Sequence, residues 1–208
     1  MNAAPICARD KGSVMREDRY ACSRCLYHYP DTQLTITTTQ TAGYGTFFVK
    51  SSDYDLRGAP VSWASLPAVR HAMTMFPDAA YIWYLDQNAF IMNPNLKIEE
   101  HVMKPSRLEE LMIKDHPVVP PDSIIKTFSH LKGHDVDFVL TQDKDGLSSS
   151  SFVVKNGEWA KFFIETWFDP IYRSYNFQKA EQHALVSLTK PLVEALRIRG
   201  GWNSYANT

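Results

Sequence analysis

The sharpest pattern along the chain is a wholly apolar run, Tyr81-Ile82-Trp83-Tyr84-Leu85, that stops abruptly at Asp86. Continuous apolarity over so short a run predicts a strand buried on both faces at the centre of an α/β sheet. The carboxyl end of such a strand is a natural place for a site. Upstream, Trp63, Leu66, Val69 or Arg70, Met73 and Phe76 recur at helical spacing before Pro77, which predicts a helix starting near Pro60 and capped by Ser62. Downstream, Ile98 to Asp115 is helix-like but interrupted by Pro105, and Pro117, Pro120 and Pro121 force an extended connection. Asp122 to Leu131 is long enough for a further helix.

Val136 to Leu140 and Ser151 to Val154 read as two more buried strands, separated by the polar loop Thr141 to Leu147. Helices dominate thereafter. Glu158 to Phe168 places Trp159, Phe162, Phe163 and Trp167 on one apolar face, and Gln178 to Leu196 is helical with a break at Pro191. Trp63, Trp159 and Trp167 are therefore expected to pack in the core rather than to serve as exposed ligand-stacking platforms. Residues 1 to about 58 show little sustained periodicity. No internal repeat is visible, and Ser148 to Ser151 is the one low-complexity tract.

Composition narrows the class. With 208 residues, 44% hydrophobic and 12% aromatic, the chain can bury the core of a single domain. Lysine plus arginine (22) nearly balances aspartate plus glutamate (23), which argues against nucleic acid or an anionic membrane surface as partner. There is no run of about 18 apolar residues, so no transmembrane segment is read. The cysteines, Cys7, Cys22 and Cys25, are odd in number and make a poor disulfide framework. With His28 they leave open a small zinc site, against the plainer reading of small buried hydrophobes.

Asp86-Gln87-Asn88 is the strongest candidate for chemistry. An acid released from a buried strand, with a second oxygen-bearing side chain two positions on, can give hard ligands to a divalent metal that holds a diphosphate. From these three residues alone, Asp86 can equally end the strand and cap a turn. A hydrolase with an aspartate nucleophile is set aside, since Asn88 removes the acid such enzymes need two residues later. Arg70 and Lys126 are candidates for phosphate pairing or simple surface charges.

A longer set of residues resembles glycosyltransferase family 34, which includes fungal α-1,2-galactosyltransferases and α-1,6-mannosyltransferase subunits of mannan polymerase. The resemblance runs through the segment Val61 to Pro94, then Pro117 to Ser123, Lys126 to His130, Leu140 to Asp143 and Asn156 to Trp159. It continues through Trp167 to Pro170 and Tyr175 to Leu185, and is closest to the fungal mannosyltransferase branch. It implies a GT-A-like fold, a Rossmann-like mixed sheet flanked by helices in a single domain. It also implies a retaining transfer of a hexose, mannose from GDP-mannose or galactose from UDP-galactose, with Mn²⁺ as cofactor. A nucleotide sugar, a glycan acceptor and other mannosyltransferase subunits are the partners implied, and the lumenal side of the Golgi membrane is the location.

On this resemblance Asp86 and Asn88 face the metal and donor, while Asp145, Gly146, Leu147 and Ser148 line the donor sugar. Glu181 and Gln182 are the catalytic positions, matching the family's acid and glutamine beside the reacting sugar. Read without the family, Glu181 is as readily a solvated helix face. The chain divides into a divergent segment 1–55, a GT-A-like core 56–190 and a divergent tail 191–208, with both termini expected to be incomplete.

Asn88 stands where the family usually has its second aspartate, which removes a negative charge from the metal site. Ser65 replaces a frequent lysine, and Ser148-Ser149-Ser150 replaces a loop that usually carries asparagine or glutamine and glycine. These departures leave a second reading beside the active transferase: a non-catalytic or truncated, inactive member of a mannan polymerase-type complex.

Overall fold

The computed structural model describes residues 5–7, 20–23, 44–86, 91, 93, 95–115, 126, 129–143, 146–175, 177 and 179–188. Six strands form one mixed sheet: β1 (Pro5–Cys7), β2 (Tyr20–Ser23), β3 (Gly45–Phe48), β4 (Tyr81–Leu85), β5 (Phe138–Asp143) and β6 (Gly146–Lys155). Their order is β1-β3-β2-β4-β6-β5, with an additional β1–β4 pairing. β2 is parallel to both β3 and β4, so β3 and β4 run the same way. Helix α1 (Ser65–Met75) joins them, the crossover that parallel strands require. The other half, β4–β6–β5, is antiparallel throughout.

The apolar run forms β4 with the limits expected of it, and its place between β2 and β6 is central. Both of its faces are covered. On one, Ile82 and Tyr84 pack with Phe152 and Val154 of β6 against Leu66, Val69 and Met73 of α1. Phe163, Ile164 and Trp167 of α4 (Glu158–Trp167) and Ala184, Leu185 and Leu188 of α6 (180–188) complete that core. On the other face, Leu85 and Val153 meet Tyr44 and Met103, with Ile98 and Val102 alongside. These last residues belong to or flank two short helices, α2 (Ile98–His101) and α3 (Pro105–Leu111). Each fully buried side chain of this size contributes about 1.5–3 kcal/mol relative to exposure, which is why an uninterrupted apolar strand is stable only here.

Trp63 and Trp167 are 1% and 0% exposed, as expected of core residues. Trp159 is half-buried, with its ring stacked on Phe163 at 5.1 Å. Phe162 departs from its expected place on the apolar face: it is 65% exposed, because adjacent helical positions point about 100° apart and Phe163 holds the inward one. Ser62 is not a cap either. A 3₁₀ turn, Val61–Ala64, precedes α1, and its own backbone bonds, such as the Trp63 amide to the Pro60 carbonyl at 3.1 Å, take over the capping role.

Pro105 opens α3 at its first position rather than merely interrupting a helix, since proline lacks only an amide that would be unpaired there. The helix expected over 122–131 is not formed at Lys126, an isolated bridge, or at 129–131; the remainder lies outside the described residues. The strand expected at 136–140 begins at Phe138, and the expected loop 141–147 is instead a hairpin in which Asp143 pairs with Gly146. Among the described residues of the first 50 there are three strands of three or four residues, too short to show periodicity. α5 (Pro170–Ser174), capped by Asp169, leads towards α6. Among the described residues no helix is long and apolar enough to cross a membrane.

Two predictions follow from the turn at Gly133. Its amide donates to Glu109 Oε1 at 2.8 Å, and a Cβ built there would lie 2.2 Å from the Pro105 carbonyl oxygen. Gly133→Ala should therefore destabilise the protein by about 1–3 kcal/mol, whereas Gly157→Ser, at an extended helix cap with open space, should not. Urea unfolding of both variants checks this, and an unchanged midpoint for Gly133→Ala would contradict it. The Gly133 amide also holds the Glu109 carboxyl below its ordinary pKa, aided by Lys132, Lys114 and His134 against a smaller desolvation effect. A depressed folded value stabilises above the ordinary carboxylate range and is lost as pH falls through it. The stability gap between wild type and Glu109→Gln should accordingly be present at neutral pH and close below the ordinary value of 4.5.

Candidate active site

The site is organised by an irregularity in β6. Against β5, β6 pairs regularly from Phe138↔Val154 to Leu140↔Phe152, and then the register jumps to Thr141↔Ser148. Ser149, Ser150 and Ser151 thus have no β5 partner, although Ser151 still pairs with Leu85 of β4. A strict two-residue alternation would turn Leu147 and Ser149 away from the core face that Phe152 and Val154 occupy. The extra residues reverse that phase. Leu147 joins the same large core, and Ser149 is 8% exposed.

Two acids far apart in sequence attach to neighbouring residues of this segment. Asp86 follows β4, and its amide donates to the Ser150 carbonyl at 2.7 Å, continuing the ladder one residue beyond the strand. Carrying the alternation of β4 one step past Leu85 puts position 86 on the side of Tyr84 and the large core. From α6, Glu181 Oε1 accepts from Ser149 Oγ at 3.1 Å, and Gln182 Nε2 donates to the Leu147 carbonyl at 2.5 Å. The two attachment points, Ser149 and Ser150, are one Cα step of about 3.8 Å apart.

Glu181 is held further by its own carbonyl, which accepts from Trp167 Nε1 at 2.8 Å. Its Oε2 is buried and has no hydrogen-bond partner among the described residues. A buried carboxylate oxygen without a donor is costly, and native structures rarely leave one so. The preceding residue, Ala180, has φ +42, a left-handed conformation that costs a non-glycine residue about 1–2 kcal/mol. Strain of this kind persists where surrounding contacts over-determine it, as the three bonds at Glu181 and Gln182 do.

Of the residues expected at the site, Asp86, Leu147, Glu181 and Gln182 meet along β6, and Gly146 and Ser148 lie in the same strand rather than in a loop. Leu147 takes part through its carbonyl, since its side chain is in the core. Asn88 and Asp145 lie outside the described residues, as do Cys25 and His28 of the alternative zinc set. Arg70 and Lys126 are engaged by acids: Arg70 with Glu165 at 2.8 Å and Lys126 with Asp115 at 3.5 Å. Sequence reasoning missed Ser149 as a contributor. A serine run leading into the continuously apolar Phe152-Val153-Val154, with no polar-apolar period of its own, is the signal that would have marked an irregular strand.

These elements belong to a known class. Residues 28–195 match the galactosyl transferase GMA12/MNN10 family, and the chain belongs to that glycosyltransferase family. An uncharacterised α-1,2-galactosyltransferase of Schizosaccharomyces pombe is 34% identical over 70% of this chain and 45% of its own length. An α-1,2-galactosyltransferase of the same yeast is 30% identical over 68% of this chain and 40% of its own. A probable α-1,6-mannosyltransferase of Saccharomyces cerevisiae, MNN10, is 30% identical over 61% and 33%. The chain thus spans less than half the length of these relatives. No solved structure gives a significant match.

The bond from Gln182 to the Leu147 carbonyl yields a graded test. Gln182→Ala removes the donor and should destabilise by about 1 kcal/mol, and Gln182→Glu should cost more because an acceptor then faces an acceptor. Denaturant midpoints for the three proteins give the order directly. Equal midpoints would mean the contact is unimportant in solution.

Proposed function

We propose that this chain forms the nucleotide-sugar-binding core of a retaining hexosyltransferase with a GT-A-like fold, centred on residues 56–190. It would transfer mannose from GDP-mannose, or galactose from UDP-galactose, to a glycan acceptor at the lumenal face of the Golgi. Membership of the family over residues 28–195 carries this reading. The parallel β3–α1–β4 crossover and the convergence of Asp86 and Glu181 on β6 support it.

The chemistry asks for two charges in register. At one end, Asp86 is a hard oxygen donor of the kind a divalent ion accepts, with Asn88 as its proposed companion. Among the described residues no group of three or more His, Cys, Asp or Glu gathers to hold a metal. A bound Mn²⁺ would supply neutralisation of the departing diphosphate. At the other end, Glu181 presents a fixed carboxylate. Positive charge grows at the anomeric carbon as the donor bond breaks, and an anion already held in place stabilises it without reorganisation. Trp167 and Leu147, which bond Glu181 and Gln182, belong to the buried core, and the low dielectric there strengthens that interaction.

Titration calorimetry of Mn²⁺, and then of GDP-mannose and UDP-galactose with Mn²⁺ present, tests the reading. One donor should bind, Asp86→Ala should abolish the Mn²⁺ dependence, and Asn88→Asp should tighten Mn²⁺ by on the order of tenfold. Absence of binding by both donors would contradict the proposal. Equal Mn²⁺ affinity in wild type and Asn88→Asp would remove position 88 from the metal.

A further inference from the structure

We propose that Ser149 is a positioning residue for Glu181, so that the serine run in β6 sets the orientation of the carboxylate at the reacting sugar. This rests on the function proposed above and deepens it. Ser149 is 8% exposed, one of two polar residues among the buried set, and its hydroxyl reaches Glu181 Oε1 at 3.1 Å. Among the described residues that hydroxyl is the one side-chain donor to the carboxylate, while Oε2 is buried without a partner. A two-oxygen acceptor fixed at one oxygen keeps the other in a defined direction for an incoming donor group, such as a sugar hydroxyl or a centre of developing positive charge.

The placement of Ser149 depends on the register jump between Leu140 and Thr141, because regular pairing would turn its side chain to the opposite face. The next residue, Ser150, holds the Asp86 amide as a further rung of the regular β4–β6 ladder. One strand segment therefore sets both the strand-end acid and the carboxylate of α6. Serine suits the position for a physical reason: an alanine there would remove the one side-chain donor to the Glu181 carboxylate among the described residues.

The test is steady-state transfer or donor hydrolysis by the full chain with GDP-mannose and UDP-galactose, comparing wild type, Ser149→Ala and Ser149→Thr. Ser149→Ala should lower kcat by about tenfold and leave the donor KM within about twofold, because orientation of one group is lost while donor contacts remain. Ser149→Thr, which keeps the hydroxyl, should restore most of kcat. A purely structural serine would move stability without this split. An unchanged kcat in Ser149→Ala, or a loss that Ser149→Thr does not recover, overturns the inference and leaves the proposed function standing. A wild-type chain inactive with both donors overturns the proposed function and this inference with it.

Discussion

The hydrogen bond from the Asp86 amide to the Ser150 carbonyl is the constraint on which the site depends. It carries the β4–β6 ladder one residue beyond Leu85, so the residue that leaves the central strand is still registered to its neighbour. β4 cannot slide to relax this bond. It lies between β2 and β6, and a one-residue slip would carry Ile82 and Tyr84 out of one core and Leu85 out of the other. The position of Asp86 is thus a consequence of hydrophobic packing more than ten ångströms in extent, given a strand rise of about 3.3 Å per residue.

Glu181 is placed by a different balance. Ala184, Leu185 and Leu188 bury one side of α6 against the large core, and at about 1.5–3 kcal/mol for each leucine this packing outweighs any single hydrogen bond at about 1 kcal/mol. Packing docks the helix, while the weaker bonds from Ser149, Gln182 and Trp167 fix where its first turn points. The left-handed Ala180 is tolerated on the same account, since the contacts after it exceed its conformational cost.

Much of the scaffold was legible because β4 and α4 carry strong local signals. Five apolar residues ended by an acid define β4, and Phe163 and Trp167 mark the buried side of α4. The β5–β6 hairpin was less legible: polar residues from Thr141 to Ser151 suppress the alternation that identifies strands, although they pair across much of that range. The short strands before residue 50 gave no period for the same reason of length. Glu181 and Gln182 could be singled out through resemblance to a family, but their contact with Ser149 and Leu147 is non-local, and a serine run that hints at an irregular strand does not say which residues meet across it. Ser62 and Phe162 show the converse, where a correct local expectation of a helix assigned the wrong job to one residue.

The central claim is that Asp86 and Glu181 border one metal-and-donor site across neighbouring residues of β6. Paramagnetic broadening by Mn²⁺ in the amide spectrum of the isotope-labelled chain tests it most directly. The account predicts that the amides of Asp86, Ser149, Ser150, Glu181 and Gln182 broaden together at low Mn²⁺, while those of α3 stay sharp. Broadening confined to one of the two acids, or centred on residues remote from β6, would contradict it.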